Sequence, residues 1–364
     1  MNLMLTKRLT SVVTAALLTA ASVCAGSSHT NVPVASTIPA NGDVNPYGVA
    51  IVGRSTGNLI EGNVLVSNFN NSSNLQGTGT TIMEIAPNGA ANLFAWIDAS
   101  SLPGSCPGGV GLTTALVALR AGWVIVGSLP TTDGTAATAQ AGCLLVLNST
   151  GTVVETISNV MINGPWDMTV LDQDSTASLF VTNVLNGTVA GNGDIVHGGT
   201  VVRIDLTTSP TMMPTVTSMT VIGSGFAERT DPAALVIGPT GVALGADGSL
   251  YVADSLNNRI MAIGDAVTRT SSAMQGTLFS AVSSLNDPLG VTVRPNTGEV
   301  MVVNGNNGLL LVLNASGQVA STALLDKSGM PPGAGALFGL ATSTLGLFYV
   351  DDATNTLNLL SSTP

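Results

Sequence analysis

The chain has 364 residues, of which 45% are hydrophobic, 9% charged and 4% aromatic, with 42 glycines and a formal net charge of −11. That balance excludes a disordered polyelectrolyte and a coiled coil, and the glycines lack the period of three that a collagen needs. What is left is a globular chain of two or three ordinary domains, or one repeated all-β unit.

Residues 1–25 read as a secretory signal peptide. Lys7 and Arg8 give a basic start, the apolar stretch after them is too short to span a bilayer, and Val23-Cys24-Ala25 has the small-x-small form of a cleavage site. Lipid attachment at Cys24 is the competing reading, and the bulky Val23 weighs against it. The mature chain then carries 8 basic and 21 acidic side chains, a net charge of −13. Such a surface repels phosphate backbones and anionic lipid, so neither nucleic acid nor an inserted membrane is an expected partner, and the destination is secreted or periplasmic.

Short apolar runs ending in a small polar residue then recur at 64–68, 124–128, 179–183, 250–254, 300–304 and 347–351. Each is β-branched or aromatic and follows a turn cluster such as Asp247-Gly248, Asn296-Thr297-Gly298 or Leu345-Gly346. This is strand and hairpin chemistry. Each run has an apolar partner about a dozen residues upstream, for example Gly241-Val242-Ala243-Leu244, and a third run downstream, for example 260–263. A fourth strand can be read after most third strands, at 92–97 and 319–324 among others. Four-stranded units of about 40 to 50 residues, repeated, predict a six-bladed β-propeller, because one such blade cannot bury both its apolar faces alone. The sixth unit runs out of chain after its third strand. The segment 26–44, through residues 32–38, is expected to supply the outer strand of that blade and close the ring, with 45–364 forming the propeller.

The segment Gly241-Val242-Ala243-Leu244-Gly245-Ala246-Asp247-Gly248-Ser249-Leu250-Tyr251-Val252-Ala253-Asp254, continued by Asn257-Asn258-Arg259-Ile260, closely resembles an NHL repeat. The fifth unit keeps Pro288-x-Gly290-Val291 but loses the arginine, and the other four match in pattern only. NHL proteins are six-bladed propellers, so the resemblance implies the architecture that the repeat count predicts.

In such a ring, the loops entering each first strand and those joining second to third strands share one face. The second-to-third loops are long in blades 1 to 3 (69–80, 129–142 and 184–199) and short in blades 4 to 6. Rich in Asn, Gly, Ser and Thr, the long loops suit a polar neutral partner such as a glycan or an extended peptide, although loops of this kind also occur as tolerated surface insertions. Cys106 and Cys143, the cysteines left after export, are expected to pair on this face. The bond closes a loop of about 38 residues and contributes roughly 3 to 4 kcal/mol. Two buried free thiols are the alternative.

Asn68, Asn183, Asp254, Asn304 and Asp351 end the second strands, and a recurrence so regular points first to turns held by Asx side chains, with Asp254 meeting Arg259. Tyr47, Trp166, Asp167 and Phe338 stand at the entrances of first strands, nearest the channel mouth. The aromatic rings there can stack on sugar or peptide, or simply pack between blades.

Counting weighs the enzymatic precedents. The amidating lyases that resemble NHL propellers bind zinc through several histidines, and this chain has two, His29 and His197. The quinone-dependent sugar dehydrogenases need basic residues, and the mature chain has a single lysine, Lys327. A gluconolactonase-like hydrolase of lactones or esters is the more serious alternative, with calcium as cofactor and Asn68, Asp167, Asn183 and Asp254 as oxygen donors, although the family's early Glu and Pro-Asn-Gly entrance are missing. The leading expectation is a secreted, non-enzymatic propeller without a cofactor, binding an extracellular or periplasmic protein, peptide or glycan.

Overall fold

The computed structural model describes residues 29–232 and 234–362. The signal peptide expected over residues 1–25 and Cys24 lie outside them. The described chain is a six-bladed β-propeller, with helix limited to short turns.

The chain enters with β1 (His29–Ser36) and then builds blade 1 from β2 (Val44–Ile51), β3 (Val64–Asn70), β4 (Thr81–Ile85) and β5 (Ala91–Trp96). Blade 2 is β6 (Leu112–Ala118), β7 (Val124–Ser128), β8 (Cys143–Leu147) and β9 (Val153–Ile157). Blade 3 has five strands, β10 (Pro165–Asp172), β11 (Thr176–Asn183), β12 (Val196–Thr207), β13 (Thr215–Asp231) and β14 (Leu235–Ile237). Blade 4 is β15 (Pro239–Leu244), β16 (Leu250–Asp254), β17 (Arg259–Ile263) and β18 (Thr277–Ser280). Blade 5 is β19 (Pro288–Val293), β20 (Val300–Asn304), β21 (Leu309–Leu313) and β22 (Val319–Leu324). Blade 6 is β23 (Leu337–Ser343), β24 (Gly346–Asp351) and β25 (Thr356–Ser362), completed by β1.

The two ends of the chain therefore meet in one sheet. β1 pairs antiparallel with β25 from His29 opposite Ser362 to Ser36 opposite Thr356. The Tyr349 hydroxyl donates to Asn31 Oδ1 at 2.8 Å, and the Thr37 N–H donates to the Asn355 carbonyl at 2.9 Å. The strand ends two residues before the predicted limit, Ile38, because Thr37 turns away to make that bond.

The core lies between blades rather than within any one of them. One apolar cluster joins blades 1 and 2 through Leu65, Ile82, Leu112 and Val126, and others join blades 2 and 3, 3 and 4, 4 and 5, and 5 and 6 in the same way. Close approach of neighbouring first strands depends on glycine. A Cβ on Gly241, Gly290 or Gly339 would run into the carbonyl group of Leu289, Phe338 or Tyr47 in the next blade. Hydroxyls latch the blades together: Ser67 Oγ donates to the Thr113 carbonyl and Thr182 Oγ1 to the Thr240 carbonyl, both at 2.7 Å, and Ser255 Oγ donates to the Pro288 carbonyl at 2.6 Å. Each would otherwise be a buried polar group without a partner.

Blade 3 departs from the repeat. The loop predicted over 184–199 ends at residue 195, where β12 begins, and β12 and β13 run on as a long bulged hairpin. β13 then folds back on β14, with Arg229 opposite Ile237 and Asp231 opposite Leu235. This strap carries Leu235 and Val236 into the apolar cluster of Tyr47, Phe69, Trp166, Leu289 and Phe338. Leu235 is buried with φ at +62°, a conformation that costs a bulky residue energy and persists only where packing imposes it.

Candidate functional site

Tyr47, Trp166 and Phe338, from the entrances of blades 1, 3 and 6, converge on the axis. Tyr47 stacks on Phe338 with centroids 3.9 Å apart and on Phe69 at 4.5 Å, and Trp166 lies tilted 6.4 Å from both Tyr47 and Phe338. Burial pushes the Tyr47 hydroxyl well above the ordinary phenol range, with Asp352 adding to the effect. Together with Leu235 and Val236 these rings plug the channel and divide its axis in two.

Above the plug is a bowl of about 610 Å³, within the range of small-molecule sites. Its floor is Tyr47, Trp166, Val236, Leu289 and Phe338. Blade 1 contributes Asn45, Asn70 and Asn74, the strap Arg229 and Asp231, blades 4 and 5 Asn258, Asn286, Asp287 and Asn306, and blade 6 Asp352. Burial raises Asp287 to about 6, with Asp231 adding to the shift and Arg229 opposing it. Burial likewise raises Asp352 to about 7, with Asp351 and Asp326 adding to it. The bowl thus offers amides for hydrogen bonding, an aromatic floor and two carboxyls that exchange protons near neutral pH.

The long loops stand differently from the sequence expectation. Leu129, Ala136 and Ala139 of blade 2 and Val184, Leu185 and Val189 of blade 3 pack into the same cluster as the strap, so they cover that half of the face. Of the long loops only the one in blade 1 lines the bowl, which opens toward blades 4 to 6. Cys106 and Cys143 form a disulfide that ties the entrance of blade 2 to the start of β8.

Asp167 points below the plug, into a shaft of about 240 Å³ that it lines with Thr114, Val242, Val291 and Gly339. It occupies the position held by glycine in blades 1, 4, 5 and 6. Its carboxyl accepts the N–H of Met168 at 2.8 Å and, from blade 4, that of Val242 at 3.0 Å. Burial outweighs both bonds and raises it to about 7.

The residues ending the second strands are buried and each bonds within the framework, although the Oδ1 atoms of Asn68 and Asn183 have no hydrogen-bond partner. Asn68 Nδ2 donates to the Thr37 carbonyl at 3.0 Å, and Asn183 Nδ2 faces the Val181 carbonyl at 3.4 Å. Asp254 accepts from Arg259 Nε at 2.7 Å and from Asn257, as the repeat pattern predicts. Asn304 accepts the Asn286 N–H and donates to the Ser284 carbonyl, and Asp351 accepts the Thr354 N–H. Of the nine residues singled out in the sequence, three thus reach the bowl. Arg229, Asp231, Asp287 and Asp352 escaped notice because no repeat pattern marks them.

The donors expected to hold calcium do not fit one ion. Asp167 faces the shaft, Asp254 is paired with Arg259, and Asn68 and Asn183 end second strands of different blades, where their Oδ1 atoms are buried without a hydrogen-bond partner. Among the described residues no three His, Cys, Asp or Glu side chains are grouped to hold a metal.

No family model and no curated protein sequence matches the chain. Its fold is shared with a luciferin-regenerating enzyme, at TM-score 0.58 and 11% identity, covering 92% of this chain and 95% of that one. A protein assigned as a gluconolactonase gives a TM-score of 0.54 at 15% identity over 93% of both chains. A catalytically inactive virginiamycin B lyase from Staphylococcus aureus, solved with quinupristin, gives 0.50 at 15% identity over 91% of this chain and 84% of that one. The chain is a six-bladed β-propeller. At these identities the likeness establishes the fold alone.

Proposed function

We propose that this propeller is an exported binding module that captures a glycan or an extended peptide in the bowl over Tyr47, Trp166 and Phe338. The observation that carries the reading is the bowl itself: an apolar ring-lined floor beneath a rim of asparagines, the combination that binds a ligand with flat apolar faces and polar edges. Export is supported by the basic and apolar start of the sequence and by the Cys106–Cys143 bond, which persists in an oxidising compartment. Among the described residues no helix is long and apolar enough to cross a membrane. The Asp254–Arg259 pair supports an NHL-type origin for blade 4.

The test is a titration with short oligosaccharides and peptides in a variant carrying Trp96→Phe and Trp123→Phe, so that emission reports on Trp166. A saturable change weakened by Asn286→Ala and Asn306→Ala is expected. No saturable change with either ligand class contradicts the reading.

Hydrolysis of lactones or esters is a second reading, favoured by Asp287 and Asp352, two carboxyls that titrate near neutrality inside the cavity. Turnover of simple lactones that is lost in Asp352→Asn would support it. The four residues expected to hold calcium do not converge on the bowl, so this reading rests on the two carboxyls alone.

A further inference from the structure

The bowl is not electrically uniform. Its blade 1 wall carries asparagines and no carboxylate, while Asp231, Asp287 and Asp352 stand around the remainder, there among Asn258, Asn286 and Asn306. Arg229 is the one basic side chain among the described residues that line it, and it is committed to Asp231 at 2.7 Å. No ion pair among the described residues includes Asp287 or Asp352. Both are half-buried beside the aromatic floor, and Asp352 is close enough to Tyr47 to perturb its hydroxyl.

A carboxyl withdrawn from water is held partly in its neutral form; Arg229, already paired with Asp231, offsets this only in part at Asp287, and a cation arriving from outside supplies the remaining attraction. The net charge of −11 draws cations toward the molecule from a distance.

We propose that the ligand of the bowl carries a protonated amine, held by Asp287 and Asp352 over the Tyr47–Phe338 stack, with its neutral hydroxyls against the asparagine wall, and that it is an amino sugar. This rests on the reading that the bowl is the binding site. An amino sugar is favoured over a basic peptide because the strap and the loops of blades 2 and 3 close one side of the mouth. A short saccharide enters such a bowl from above, whereas an extended peptide needs an open path across it.

The test is calorimetry at pH 7 with two probes of the same ring skeleton, a glucosamine trimer and its fully N-acetylated counterpart. The amine trimer is expected to bind at least tenfold more tightly. In Asp287→Asn plus Asp352→Asn the preference for the amine trimer over the acetylated one falls to within threefold. Asparagine keeps the shape of the protonated acid, and each single variant, checked for a cooperative melting transition, shows part of the loss. Equal affinities, or a preference for the acetylated trimer, overturn the cationic assignment and leave the bowl as a binding site. Binding of neither trimer overturns the glycan reading as well.

Discussion

Gly241, Gly290 and Gly339 show how one residue type sets the radius of the ring. Each lies where the backbone of the next blade passes, so the Gly-Val step of the repeat is a packing requirement rather than a turn signal. Gly290→Ala is predicted to destabilise the protein by about 3 kcal/mol, since overpacking against backbone has no cheap relaxation. Gly264→Ala, where a Cβ meets nothing within 4 Å, is the matched control and should change little. Urea midpoints of the two variants check this. Asp167 takes the same position in blade 3, where its carboxyl lines the shaft below the plug and bonds blade 3 to blade 4. Asp254 with Arg259 was legible because both belong to a contiguous motif. Asp287 and Asp352 were not, because their proximity to the floor exists only once distant blades meet.

The short runs ending in Asn, Asp or Ser located every second strand, since each is a continuous apolar stretch, buried on both faces, that stops at a turn. The closure by β1 was legible from arithmetic, as the sixth blade lacked an outer strand. The strap was not. β13 carries bulges and repeated Thr and Ser, so no clean period of two identifies its length, and its role is fixed by Leu235 finding the aromatic cluster far away in sequence. Deleting residues 29–36 leaves β25 as an exposed edge and removes the Tyr349–Asn31 bond. The deletion is predicted to lower the melting temperature by about 10 °C or more, the scale expected for several kcal/mol of lost strand pairing in a chain of this size. Differential scanning calorimetry measures it, and an unchanged melting temperature contradicts the closure.

At the scale of the whole molecule, burial raises a set of carboxyls: Asp287 to about 6, Asp167 and Asp352 to about 7, and Glu228 to about 8. Folded molecules keep these protons at a pH where unfolded chains have already released them. The resulting stability is full below the usual carboxylate range and is lost as pH rises through about 6 to 8. Asp205, which hydrogen bonds and Arg203 hold below its usual value, acts in the opposite direction, but only in more acid solution. The melting temperature is therefore predicted to be several degrees higher at pH 5 than at pH 8.5, with a flatter profile in Asp167→Asn. A melting temperature that rises over this interval contradicts the assignment.

The central claim is that the bowl over the aromatic plug is where the ligand sits. A crystal structure of the protein with the glucosamine trimer tests it most directly. The account predicts electron density for the sugar above Tyr47 and Phe338, with its amines toward Asp287 and Asp352. Density in the shaft below the plug, or on an outer blade edge with the bowl empty, would contradict it.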